Sequence, residues 1–245
     1  SSYMFEYLPF LILGLTALIG FMVAGVVGFG GGIIIMPVLV WVIGPREAVP
    51  VISVVSFIAG LSRTALNWKS IEWKIVLWSC LGAIPLIAVA SYLYVITPPY
   101  VLTKILGLLL ILFVLYRHTH WSNHVKLGVR GFFWVGAGTS FIDGFLGTVG
   151  PLRSPFLLTY GLSGGAYIGT AGMIVLLTQV PKIIVFGGSG LLETEYLVIA
   201  GSLGLIGFIA SYLGRLVIRN LSPKTFGILV EIMLCASGIL LLFRA

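Results

Sequence analysis

Charge is what this chain has least of. Only 9% of its 245 residues are charged, and just seven are Asp or Glu. Soluble domains carry roughly 25% charged residues, so a water-soluble fold is excluded. Cysteine is nearly absent too. Cys80 and Cys235 both fall inside apolar segments, which argues against a disulfide framework and for two small buried hydrophobes. The three histidines, His118, His120 and His124, crowd into one polar linker with no carboxylate or cysteine beside them, so no metal is expected there. No histidine is left in the apolar segments to act as an intramembrane base. G-x-S-x-G, H-E-x-x-H and a nucleotide-binding loop are all missing, so neither an enzyme nor an ATP-driven pump is expected, and no cofactor is implied. The first residues also lack the basic stretch and small-residue cleavage site of a signal peptide.

What the chain does have is apolar sequence. It is 59% hydrophobic, with a mean hydropathy of +1.16. This predicts an all-α polytopic membrane protein whose solvent is the lipid bilayer. The net charge of +7 does not point to nucleic acid, because the cations lie in short loops between apolar segments.

Those segments run over residues 8–28, 30–43, 47–66, 72–95, 100–117, 130–146, 148–161, 164–185, 194–217 and 223–243. Most reach the ~20 residues that a crossing needs, whereas 30–43 and 148–161 are short. The single long polar stretch, Arg117 to Lys126, falls near the middle. The sequence divides there into a first membrane repeat, 1–117, a linker, 118–129, and a second repeat, 130–245. Shifting the chain by ~118 residues places Gly20 on Gly138, Pro37 on Pro155 and Ala48 on Ala166, the internal symmetry common in transporters.

Within each half one apolar segment is interrupted. Gly28-Phe29-Gly30-Gly31-Gly32 precedes Pro37, and Gly144-Phe145-Leu146-Gly147-Thr148-Val149-Gly150-Pro151 precedes Pro155. Glycine and proline loosen the i→i−4 hydrogen-bond ladder, which hydrocarbon tolerates only where the backbone lines a protected cavity. Free amides at the N-terminus of the following half-helix favour a small anion, while tight packing of small residues is the simpler use. Paired interruptions at matching places point to a binding site between two broken helices.

The Lys and Arg distribution bears on topology. If all ten segments cross, nine cations fall on one side and four on the other, with Arg153 inside a segment. If each interrupted pair crosses once, giving eight spans, the division is eight to five. Ten segments are preferred, with both termini outside and the linker cytoplasmic. Five crossings per half make the repeats inverted, and four make them parallel.

The glycine stretch with Pro37 and Leu39, Ala48 after the next turn, and the two-fold repeat resemble the sulfite exporter TauE/SafE family over nearly the whole length. The second half departs from the commonest pattern, reading Gly150-Pro151-Leu152-Arg153-Ser154-Pro155, then Thr170 and Gln179-Val180-Pro181-Lys182. The resemblance implies export or exchange of small sulfur-containing anions, such as sulfite, sulfoacetate or other organosulfonates, across the bacterial inner membrane. Its alternative is a transporter or channel for another small anion.

Several side chains suit that chemistry. Arg153 lies in the short second-half segment, where a planar fork of donors matches a pair of sulfur oxygens; a fixed pairing with Asp143 is its competing role. Lys182 and Arg63 occupy nearly equivalent places in the two halves, with Gln179 and Asn67 one turn away as neutral donors. Gly30, Gly31, Gly32 and Gly150 supply open backbone. The hydroxyls of Thr148 and Ser154, and less specifically Ser53, Ser56 and Thr170, are further donors. Asp143 and Glu231 are the acids placed to carry a coupled proton or to hold a cation. Glu47, Glu72, Glu193 and Glu195 read as interfacial. A monomer and a homodimer are both compatible with the sequence.

Overall fold

The computed structural model describes residues 2–28, 31–118 and 127–217. These residues form nine α-helices with no strand among them: α1 (Ser2–Val27), α2 (Gly31–Ile43), α3 (Pro45–Leu66), α4 (Trp73–Ile96), α5 (Pro99–His118), α6 (Phe132–Leu146), α7 (Gly150–Thr159), α8 (Gly164–Gly188) and α9 (Thr194–Val217). Gly30, Glu231, most of the linker 118–129 and the tenth apolar segment, 223–243, lie outside the described residues.

Five helices, α1, α3, α4, α8 and α9, contain apolar stretches long enough to cross a bilayer. On α1, Leu8, Leu11, Leu15 and Ile19 are exposed at helical spacing. On α4 and α9, Leu77, Leu81, Leu205 and Ile209 are exposed as well. Water would penalise such stripes and hydrocarbon does not. The chain is a multi-pass membrane protein. At α-helical rise the 13 residues of α2 extend about 20 Å and the 10 of α7 about 15 Å, both less than the ~30 Å hydrocarbon core.

The centre of the bundle is α3. Two-thirds of its span is buried, against 39% for the spans in α1 and α9. Ala48, Val49, Val51, Ile52, Val55 and Ala59 are wholly inside. Around it the two halves exchange partners: α4 packs on α6 and α8, while α9 packs on α1 and α3. Small residues permit the closest crossings. A Cβ on Gly82 would collide with the carbonyl of Phe133, and one on Gly136 with that of Ser79, so α4 and α6 meet backbone to backbone. Gly25 and Gly214 do the same for α1 and α9, against Ser211 and Met22. Lipid provides no hydrophobic drive between helices, so contacts of this closeness supply packing attraction in its place.

Candidate functional site

Each half contains a helix break whose cause is local. After α1, Gly28 donates its N–H to the carbonyl of Ala24 at 2.9 Å and then turns to φ 85°. After α6, Gly147 donates to the carbonyl of Asp143 at 2.8 Å and turns to φ 82°. An L side chain is disfavoured in that left-handed region, so glycine ends both helices. The chain resumes as α2 at Gly31 and as α7 at Gly150, with Pro151 in the first turn of α7 where its missing N–H costs nothing.

Both restarts face the same cavity. Gly31, Gly32 and Gly150 line it, with Gly28, Thr148 and Val149 from the breaks themselves. A Cβ on Gly32 would approach Thr148 Oγ1 to 3.0 Å, which brings the two breaks into contact across the bundle. The first-turn amides of α2 and α7 give this space the positive ends of two helix dipoles. Its volume is about 40 Å³. One water needs ~10–15 Å³ on that scale, so the cavity has room for roughly three water-sized groups.

Two guanidinium groups enter the cavity from different helices. Arg63, on α3, donates through Nη1 to the carbonyl of Gly28 at 3.0 Å, while its buried Nε has no partner among the described residues. Arg153, on α7, donates through Nε and Nη2 to Thr139 Oγ1 at 3.3 and 3.2 Å, and through Nη2 to Ser140 Oγ at 3.1 Å. These hydroxyls orient the fork without neutralising it. Neither guanidinium is paired with a carboxylate among the described residues.

The nearby acid is already engaged. Asp143 lines the cavity, yet its Oδ1 accepts from Lys182 Nζ at 3.2 Å and its Oδ2 from Gln179 Nε2 at 3.3 Å. Lys182 Nζ also donates to the Asp143 carbonyl at 3.0 Å. Desolvation makes such a pair costly to split, because either partner alone would be an uncompensated charge in low dielectric.

Of the residues expected from the sequence, Arg63, Gly31, Gly32, Thr148, Gly150, Arg153, Ser154 and Gln179 line this cavity, as does Asp143. Lys182 and Asn67 do not. Lys182 is wholly buried behind Asp143, and Asn67 spends its amide on the Arg63 carbonyl at 2.8 Å. Gly30 and Glu231 lie outside the described residues. Among the weaker hydroxyl candidates Ser56 reaches the lining, Ser53 turns back to the Val49 carbonyl, and Thr170 accepts from the Glu72 amide. Phe21, Leu157, Ala171 and Val175 complete an apolar wall. Their positions in otherwise uniform apolar segments give no sign of that role. The described residues contain no cluster of His, Cys, Asp and Glu able to hold a metal ion.

The arrangement is therefore a small, positively biased cavity between two broken helices, suited to holding an anion. Residues 12–241 match the family model described as sulfite exporter TauE/SafE. No curated protein and no solved structure matches the chain. The match covers nearly all of the sequence, and the chain belongs to the sulfite exporter TauE/SafE family, membrane transporters of sulfite-like anions.

Proposed function

We propose that the protein is a secondary transporter that exports or exchanges a small sulfur-containing anion, sulfite or a related organosulfonate such as sulfoacetate, at the cavity between the two helix breaks. One observation carries the reading: Arg63 and Arg153 reach a single cavity floored by two helix N-termini, and no carboxylate among the described residues pairs with either. An anion entering low dielectric must exchange hydration for fixed donors, and two guanidiniums with backbone dipoles offer that exchange. Gly31, Gly32, Gly150, Thr148, Ser154 and Gln179 shape the site. Gly30 belongs to the same glycine run. Lys182 acts through Asp143, Asn67 through Arg63, and Asp143 is the proton-coupling candidate, with Glu231 the other acid proposed for that role.

Alternating access follows from an inverted repeat of residues 1–117 and 130–245 around a cytoplasmic linker, with ten helical segments in the bacterial inner membrane. The exchange of helix partners between halves supports this, as does the excess of Lys and Arg on one side. A Ser122→Cys protein in intact cells is expected to resist an impermeant thiol reagent and to react only after the membrane is opened. Ready labelling in intact cells overturns the cytoplasmic placement.

ATP-free proteoliposomes test the function. Sulfite loaded inside is expected to leave down its gradient only when the protein is present, and a proton gradient is expected to change the rate if Asp143 couples. Thermal shift supplies the second arm, since a ligand that prefers the folded state raises stability by about 2.7 kcal/mol at 100 times Kd. Sulfite is expected to stabilise the protein more than chloride or sulfate. Stabilisation by chloride alone, with no sulfite flux, favours a transporter or channel for another anion.

A further inference from the structure

The face that α8 turns to the cavity carries Ala171, Val175 and Gln179, each one turn from the next. One turn further along that stripe lies Tyr167 at one end and Lys182 at the other, and both are buried outside the lining. The Lys182 end is closed by its ion pair with Asp143. The Tyr167 end is closed differently.

Tyr167 Oη donates to Ser154 Oγ at 2.6 Å, and Ser154 donates in turn to the Gly150 carbonyl at 2.7 Å. That ties the tyrosine to the start of α7, the second break. The ring of Tyr167 lies against Gly28, where a Cβ would come within 2.6 Å of it. The Gly28 carbonyl holds Arg63, so the same ring also covers the first break. On either side of Tyr167, Gly165 and Gly169 pack on Asn67. Tyr167 thus stands between the cavity and the turn that begins at Asn67.

We infer that Tyr167 is a gate that closes the cavity toward the end of the protein bearing residues 67–72, by fastening one helix break to the other through Ser154. The inference rests on the transport reading given above. The polar ties at this end are between neutral groups, Tyr167 to Ser154 and the Glu72 amide to Thr170, against an ion pair with two added hydrogen bonds at the other. Neutral bonds are roughly half as strong as charge-assisted ones, so the Tyr167 end is the easier to open. Gly28 leaves the ring free to slide, having no side chain to obstruct it.

The test reads accessibility and needs no substrate. A reporter Ala171→Cys is placed in a Cys80→Ser, Cys235→Ser background and labelled with a small impermeant thiosulfonate in right-side-out and inverted vesicles. Tyr167→Phe keeps the ring on Gly28 and loses only the hydroxyl. It is expected to raise labelling from the face bearing residues 67–72 by roughly two- to tenfold, the scale of one neutral hydrogen bond, with no change from the opposite face. Ser154→Ala is expected to give the same rise, and the two substitutions together no further rise, because both break one bond. If the tyrosine variant fails to fold, the serine variant carries the test from the other side of that bond. Unchanged labelling in folded protein, or an equal rise from both faces, overturns the gate. Sulfite flux through the unsubstituted protein is measured in parallel. A one-sided rise without any flux refutes the transport reading and leaves the gate in place, whereas flux without the rise does the reverse.

Discussion

Arg153→Ala is expected to weaken sulfite binding by about 2–4 kcal/mol, a loss of roughly 30- to 1,000-fold, the scale for truncating one partner of a buried charged contact. The geometry gives the reason. Thr139 and Ser140 take the Nε and Nη2 hydrogens of Arg153, leaving Nη1 without a protein partner among the described residues. A guanidinium locked on one edge by two hydroxyls offers its other edge without further loss of side-chain freedom. Arg153→Lys is expected to recover only part of the affinity. One ammonium cannot both satisfy the α6 hydroxyls and meet an anion with the same spread of donors. Calorimetry on purified protein at fixed ionic strength measures all three. Equal affinities would remove Arg153 from the site and leave it a structural link between α7 and α6.

The helix breaks were legible in the sequence because their cause is local. Gly28 and Gly147 end their helices through their own backbone freedom, and Pro37 and Pro155 recur at matching places in α2 and α7. The expected segments 47–66, 164–185 and 194–217 lie within a few residues of α3, α8 and α9, because runs of apolar side chains of that length have few other stable states in lipid. Partnerships were less legible. Asp143 was a candidate partner for Arg153, yet its carboxylate oxygens go to Lys182 and Gln179, 39 and 36 residues away. Arg63 reaches Gly28 across 35 residues. Such choices depend on how α3, α6 and α8 are rotated against one another, and no spacing rule within one helix encodes that. Tyr167 offered least of all, since an aromatic in an apolar segment usually signals only packing.

The largest stability effect is expected at the Asp143–Lys182 pair, where the same experiment also separates a direct cation from an indirect one. Asp143→Ala leaves the Lys182 ammonium wholly buried without its carboxylate, and stability is expected to fall by about 3–5 kcal/mol. Lys182→Met does the converse and strands a carboxylate in the cavity wall, with only Gln179 still bonded to it. Both single variants are expected to melt well below the unsubstituted protein in detergent. The double variant Asp143→Ala, Lys182→Met is expected to regain part of the loss, because it removes both buried charges, while the smaller alanine leaves a cavity and Gln179 without its acceptor. Affinity gives the sharper reading. Lys182→Met should weaken sulfite binding strongly, since the stranded Asp143 charge now repels the anion, and removing that charge in the double variant should restore it. A lysine that touches the anion itself would give no such rescue. Loss of affinity in the double variant as deep as in Lys182→Met alone would therefore move Lys182 from behind the wall into the site.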